Sequence, residues 1–301
     1  MEPLRINAHW LMLVGIMLAA SSFPVGALIT NELPPAIMMF MRFLFGAILF
    51  SPYVFIKNGF VIPPKKSMFN YAILSIPSVV FFWCMFESLR YTSVVNTGAL
   101  YTLVPAITAV YAFFINREIA TKFRIFGLFI GIVGALWIVF KGDFNSFLGL
   151  ELNYGDLIFI TGCLFTSLYN PLVKKFYRGE PMEVMTFWIL LFGAGWLLIA
   201  SGGSLLEVNW FNVPGGVYGG ILYLSLFTTL ITFFLRQLCV VRIGATKVSA
   251  YGLLAPIFVI IITVSIGIEK FELATLPGIL LVIVSMLLIQ KEPKSAQLKI
   301  T

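Results

Sequence analysis

The sequence has little charge. Only 11% of its 301 residues are Asp, Glu, Lys or Arg, 60% are hydrophobic, and the mean hydropathy is +0.99. A soluble domain usually carries about 25% charged residues, so an ordinary water-soluble fold is excluded. Histidine is almost absent. His9, at the start of the first apolar run, is the only one, which removes most imidazole-based metal and triad chemistry. It reads as an interfacial residue. The three cysteines, Cys84, Cys163 and Cys239, lie far apart inside apolar runs, so neither a CxxC motif nor a zinc spacing can be drawn. They read as small buried hydrophobes. No Gly-Lys dipeptide occurs, which excludes a P-loop, and the one GxG, Gly193-Ala194-Gly195, sits in an apolar run without a third glycine. No acidic residue falls at the middle of any apolar run, so the usual intramembrane proton relay is missing as well. No metal or cofactor is expected.

What the chain has instead is apolar length. A helix needs roughly 20 apolar residues to cross the hydrocarbon core of a bilayer. Runs of that kind lie at about 8–30, 36–57, 67–89, 95–115, 123–140, 154–173, 182–201, 214–236, 246–267 and 274–290. Ten spans leave almost nothing for a separate soluble domain. The first run is long and lacks a small-residue cleavage site, so it reads as a span rather than a cleaved leader. The net charge of +7 is explained by placement. With the N-terminus inside, only Arg90, Lys141 and Lys270 fall in outer segments and Arg42 lies within a span; the other 16 of the 20 basic residues, from Arg5 to Lys299, fall in inner segments. This is the positive-inside distribution. It predicts an integral plasma (inner) membrane protein with both termini cytoplasmic and an even number of crossings. The basic balance then reports topology and membrane lipid, not nucleic acid.

The two halves of the chain align with each other. An offset of 147 pairs Gly15 with Gly162, Pro24 with Pro171, Pro34 with Pro181, Phe45-Gly46-Ala47 with Phe192-Gly193-Ala194, and Tyr71 with Tyr218. After the third span the offset becomes 151, pairing Leu103 with Leu254, Pro105 with Pro256, Glu118 with Glu269, and Gly127 with Gly278. Proline inside a helix is costly, so coincident prolines carry weight. The expected fold is an all-α polytopic membrane protein of ten transmembrane helices, built as two five-helix repeats over 1–146 and 147–301. Five is odd, so the second copy enters the membrane from the opposite side, and a site between the copies can face each side in turn.

On these segments the chain resembles the EamA family of the drug/metabolite transporter superfamily. The resemblance rests on Met41-Arg42-Phe43 in span two, on Leu89-Arg90-Tyr91 leading through Val94–Pro105 to Arg117-Glu118, and on Gly127–Gly134 in span five. A weaker second copy runs from Val241 through Pro256 to Glu269 and Gly278, and departs from the family pattern at Arg242-Ile243-Gly244. Such families include exporters of amino acids and related metabolites, drug-efflux proteins and relatives of nucleotide-sugar carriers. The resemblance implies transport and leaves the substrate open.

The residues that could carry transport are the polar and kinked ones inside the spans. Pro24 and Pro171, Pro105 and Pro256 recur as symmetric pairs and read as hinges bending helices around a central site; membrane helices also tolerate proline in general. Cys163, Thr166 or Ser167, and Asn170 share one face of span six, as do Ser225, Thr228 or Thr229, and Thr232 in span eight. Ser21 and Ser22 stand beside Pro24, and Tyr101 stands one turn before Pro105. Such stripes line a hydrated cavity or bond their own and neighbouring helices. Among them the amide of Asn170 needs the most partners. Arg42, roughly 9 Å of helix rise inside the outer end of span two, costs at least a few kcal/mol facing lipid. Three readings stay open: an ion pair with Glu87, contact with an anionic substrate, and snorkelling outward. Trp83 and Trp188 lie away from the interfacial belts and either wall the cavity or pack in the core. Glycines at 127 and 131, and at 215, 216, 219 and 220, form small-xxx-small surfaces for helix contact within the chain or in a homodimer.

The leading expectation is therefore a secondary carrier, exporting small amino-acid-like or related metabolites. Its substrate-cavity residues are drawn from Arg42, Trp83, Glu87, Tyr101, Asn170, Trp188, Ser22 and Thr229. The alternative is an importer or exchanger of a nucleotide-derived or quaternary-ammonium solute. An intramembrane enzyme lacks a catalytic set, and a channel has less need of a kinked repeat. Glu87 is the one carboxylate placed for proton coupling.

Overall fold

The computed structural model describes residues 7–149, 152–267 and 270–290. Glu269, the expected counterpart of Glu118, lies outside the described residues, as do Arg5, Lys291, Lys294 and Lys299. Ten helices are long and apolar enough to cross a bilayer: α1 (Ala8–Gly26), α2 (Pro35–Asn58), α3 (Lys65–Ser88), α4 (Val95–Asn116), α5 (Lys122–Val139), α6 (Tyr154–Phe176), α7 (Met182–Ser201), α8 (Gly215–Ile243), α9 (Ala245–Ser265) and α10 (Leu273–Gln290). No strand occurs among the described residues. The short connections make successive helices antiparallel. The end of the bundle where α1 begins is called the proximal face, and the opposite end the distal face. α8 continues to Ile243, beyond the expected end near 236. Gln237 and Arg242 lower the hydropathy there without interrupting the helix.

Three helices are broken near the middle of the bundle. α1 turns at Ser21, α4 turns at Thr102 and Leu103, and α9 tightens into a 3₁₀ segment over Tyr251–Leu254. Each break precedes a proline: Pro24, Pro105 and Pro256. Proline has no N–H for the carbonyl four residues earlier, which deprives the carbonyls of Ala20, Tyr101 and Gly252 of that donor; the Gly252 carbonyl accepts from the Ala255 amide instead. Pro171 sits inside a continuous α6 instead. α8 has a different irregularity, a π-helical segment over Leu224–Ile231. Such wide turns concentrate at functional sites.

Helix contacts are tightest where glycine allows them. α5 crosses α10 through Gly127, Gly131 and Gly134, and a Cβ built on Gly134 would stand 2.8 Å from the Gly278 carbonyl oxygen. The glycines of α5 are thus spent within the chain. Gly215, Gly216 and Gly219 of α8 have open space around them. The apolar outer surface, including Leu28, Ile56, Phe114 and Ile199, suits a lipid surround.

The neighbour pairs follow a pattern. Exchanging α1–α5 with α6–α10 maps α1/α8 onto α6/α3, α1/α9 onto α6/α4, and α2/α8 onto α7/α3, and leaves α2/α7, α4/α9 and α5/α10 in place. The match is incomplete: α5 packs on the middle of α9 with no contact of like extent between α10 and α4, and the two faces of the bundle differ. At the proximal face α6 packs on α8 and on the first turns of α9, while no contact of like extent joins α1 to α3 or to the first turns of α4 at the distal face.

Candidate functional site: a central cavity

The helix breaks surround a cavity. Ala20, Tyr101 and Gly252, whose carbonyls face a proline four residues on, all line it. Irregular backbone at this depth persists where it is enclosed by protein or borders water. The walls come from α1, α3, α4, α8 and α9, and the cavity measures about 100 Å³, below the roughly 300–1,000 Å³ of small-molecule sites, so a solute larger than a few heavy atoms needs the walls to part. Phe81, Phe82, Tyr101 and Phe233 supply aromatic wall, and Ser22, Thr228, Thr232 and Ser249 supply hydroxyls. A second cavity shares Tyr101, Gly252 and Ala255 with the first and reaches the distal face at the Lys141–Glu272 ion pair of 3.0 Å. The ring of Tyr101 lies between the two. A Cβ on Gly252 would meet Tyr101 Cε1 in ordinary contact at 3.6 Å, so the ring packs directly on this turn of α9.

Among the described residues one charged side chain lines the central cavity: Arg236 of α8. Its Nε donates to Asn170 Oδ1 at 2.7 Å, and its guanidinium lies over the Tyr169 ring at 5.2 Å. The Tyr169 hydroxyl accepts from Gln237 Nε2 at 2.7 Å, and Gln237 Oε1 accepts from Thr186 at 2.6 Å. Asn170, Tyr169 and Gln237 are all buried, so this chain fixes the arginine from behind. Arg42 lies behind the same cavity, fully buried. Its Nε donates to Thr229 Oγ1, its Nη2 donates to Thr228 Oγ1 at 2.7 Å, and its guanidinium stands 4.3 Å from the centre of the Phe82 ring. Thr228 and Phe82 are themselves cavity wall. The π-helical turns of α8 present both threonines to Arg42.

A model of the EamA-like transporter family matches residues 6–140 and 153–290, nearly the whole described chain in two stretches. The chain belongs to the EamA-like transporter family. It is 28% identical over 288 residues to the uncharacterized transporter YyaM of Bacillus subtilis (strain 168), covering 94% of this chain and 93% of the relative. An uncharacterized transporter of Archaeoglobus fulgidus is 24% identical over 254 residues, with 84% and 86% covered. One solved crystal structure aligns with a TM-score of 0.78 over 97% of this chain and 99% of its own, at 15% identity, which speaks to the fold alone.

In this EamA-like transporter the residues singled out in the sequence fall into three groups. Ser22 and Tyr101 line the cavity, while Thr229, Arg42 and Asn170 form its backing. Trp83, Glu87 and Trp188 are elsewhere. Trp83 is 40% exposed, and Trp188 packs beside Phe187 and Phe192. Glu87 accepts from Arg90 at 3.3 Å at the distal end of α3. The expected Arg42–Glu87 ion pair is therefore not formed. α2 lies mainly against α7 and α8, and only slightly against α3, so Arg42 faces the threonines of α8. The residue missed from the sequence is Arg236, counted there as a loop charge. The signal was present: Thr228, Thr232 and Arg236 recur every four residues on one helical face.

At the proximal face of the EamA-like transporter, Glu118 in the turn between α4 and α5 joins α6 and α9. Its carboxylate accepts from Lys174 Nζ of α6 at 2.6 Å, from Thr246 Oγ1 at 3.0 Å, and from the Ala245 and Thr246 amides that open α9. Burial pushes the Glu118 pKa up, but the Lys174 bond and charge and the bonds from Ala245 and Thr246 outweigh it, and the net shift is downward. A carboxyl held below its ordinary value stabilises the fold fully above the usual glutamate range, and that contribution drains away as pH falls through and below it. Thermal unfolding from neutral to strongly acidic pH should show this loss in the wild-type chain and lack it in Glu118→Gln. At pH 7 the variant should be less stable by about 1–2 kcal/mol, a charge-assisted bond discounted for the partial exposure of Lys174. Identical acid profiles for the two proteins would remove Glu118 as a clamp.

Proposed function

We propose that this EamA-like transporter is a secondary carrier that exports small amino-acid-like or related metabolites by alternating access, with the central cavity as its binding site. One observation carries the reading: the cavity lies at mid-bundle where α1, α4 and α9 are all broken, between helices of both halves. The exchange pattern of helix neighbours and the two family matches support two inverted five-helix repeats over 1–146 and 147–301. In that arrangement Pro24, Pro105, Pro171 and Pro256 are the hinges about which the halves interchange. The positive-inside distribution assigns the proximal face to the cytoplasm of a plasma-membrane protein. The break in the exchange pattern then corresponds to a carrier closed on the cytoplasmic side by α6, α8, α9 and Glu118, with the distal cavity leading outward past Tyr101. Energy comes from a gradient or an exchanged solute, since no P-loop is present. A quaternary-ammonium cargo is disfavoured, because the one charged lining residue is a cation.

The test is reconstitution of the full chain in liposomes with labelled amino acids, organic acids, nucleotides and cations, with and without a pH gradient. Saturable, counterflow-competent movement of a small metabolite supports the reading. Failure of every solute with folded protein in the vesicles removes it.

A further inference from the structure

Among the buried side-chain atoms around the central cavity the unpartnered ones are donors, while the backbone carbonyls of Ala20 and Tyr101 there lack the amide four residues on. Arg236 commits its Nε to Asn170 and lies over Tyr169, and its terminal nitrogens bond to none of the described residues. Arg42 Nη1 and Asn170 Nδ2 are buried without an acceptor among the described residues. Among the described residues no Asp or Glu lines the cavity, and none bonds to either arginine. A buried cation normally lies against a carboxylate, because leaving water without one is expensive. A half-buried arginine in the wall, a fully buried one behind it and no acid beside either form a site whose missing partner is an anion. The remaining wall is aromatic and aliphatic, with Phe81, Phe82 and Phe233 alongside the hydroxyls of Ser249 and Thr232.

Resting on the carrier reading above, we propose that the cargo is a small organic anion with an apolar body and no compensating ammonium group. Its carboxylate is held by the terminal nitrogens of Arg236, and its body lies against the phenylalanine wall. Arg42 is a positioning residue. It sets the two threonines of α8 and adds positive potential through Thr228. A zwitterionic amino acid would bring its ammonium group into a wall without an acceptor carboxylate, so the inference narrows the cargo to acids lacking a free amine. An amine is attracted by neither arginine.

The experiment holds the body constant and changes the charge. Purified full-length protein is titrated with 3-phenylpropionate, phenylalanine, 3-phenylpropionamide and 3-phenylpropylamine, and with sodium acetate as an anion lacking the body; binding is read by thermal shift and by intrinsic tryptophan fluorescence. The same compounds are then offered for counterflow in proteoliposomes. The propionate should bind at least tenfold more tightly than any of the others. Arg236→Gln, with unchanged size-exclusion profile and helicity, should weaken that binding about tenfold or more, and Arg236→Lys should recover part of it. Equal or better binding of phenylalanine or the amine, no binding of the propionate, an equal response to acetate, or an unchanged Arg236→Gln would overturn the inference. The two readings fail separately. Counterflow of phenylalanine or the amine leaves a carrier without an anion site, whereas Arg236-dependent propionate binding without any counterflow leaves an anion site without a carrier.

Discussion

Replacing Gly134 with leucine is expected to abolish folded protein, and replacing it with alanine to destabilise the bundle by about 1–3 kcal/mol, the usual range for overpacking. A Cβ at 134 would meet the Gly278 carbonyl oxygen at 2.8 Å, Leu281 Cβ at 2.8 Å and the Val282 nitrogen at 3.0 Å. Two of these atoms are backbone, so no rotamer change relieves the contact. α5 and α10 must separate instead. In a bilayer, helices associate through close van der Waals contact rather than through exclusion of water, and a widened crossing forfeits contact along its whole length. Gly131 and Gly278 are packed as closely, so the loss has no neighbouring place to relax. Gly195 is the control, being helical with no atom within 4 Å of the place a Cβ would take; Gly195→Ala should be neutral. Fluorescence-detected size-exclusion yield and apparent Tm measure all three. A normal yield for Gly134→Leu would refute the tight crossing.

Arg42→Met is expected to separate stability from transport. Methionine fills much of the arginine stem's volume, and the change removes a buried cation that has no carboxylate and an unpartnered Nη1. Replacing buried charge by an apolar side chain of similar size is often neutral or stabilising, so the apparent Tm should equal or exceed that of the wild type. Transport should fall about 10- to 100-fold, the effect of one charge-assisted interaction of roughly 1.5–3 kcal/mol. Arg42→Lys keeps the charge but not the fork that bonds Thr228 and Thr229 together, and should lie between. Loss of folding and transport together in both variants would make Arg42 a structural tie between α2 and α8 and nothing more.

The ten spans were legible because each is a long apolar run and the basic residues cluster at alternate ends. The breaks in α1, α4 and α9 were legible too, since proline removes a donor whatever surrounds it. The azimuth of a side chain was not. Arg42 lies about two turns inside α2 and Glu87 at the distal end of α3, close enough for two long side chains to be paired on paper, and the packing of α2 against α8 shows that they do not meet. Trp83 and Trp188 were ambiguous for the same reason, because depth is encoded in sequence position and facing is not. The π-helical segment of α8 has no sequence signature at all. Arg236 was hidden by the hydropathy count, which ended α8 at that residue; its four-residue spacing from Thr228 and Thr232 was the cue. The polar stripes also served two roles at once. Thr228 and Thr232 bond the carbonyls of Leu224 and Thr228 in their own helix and still face the cavity.

Alternating access itself is tested most directly by labelling from each side. The three native cysteines, all buried, are replaced, and one cysteine is placed at the cavity-lining Ser249 in sealed vesicles of known orientation. The account predicts that a membrane-impermeant maleimide reaches this cysteine from the distal side in the resting state. It also predicts that a transported solute shifts a measurable fraction to proximal access, and that Glu118→Gln raises that fraction without solute. Labelling from both sides at once would indicate a continuous pore, and labelling from one side alone under every condition would contradict a carrier that turns its site across the membrane.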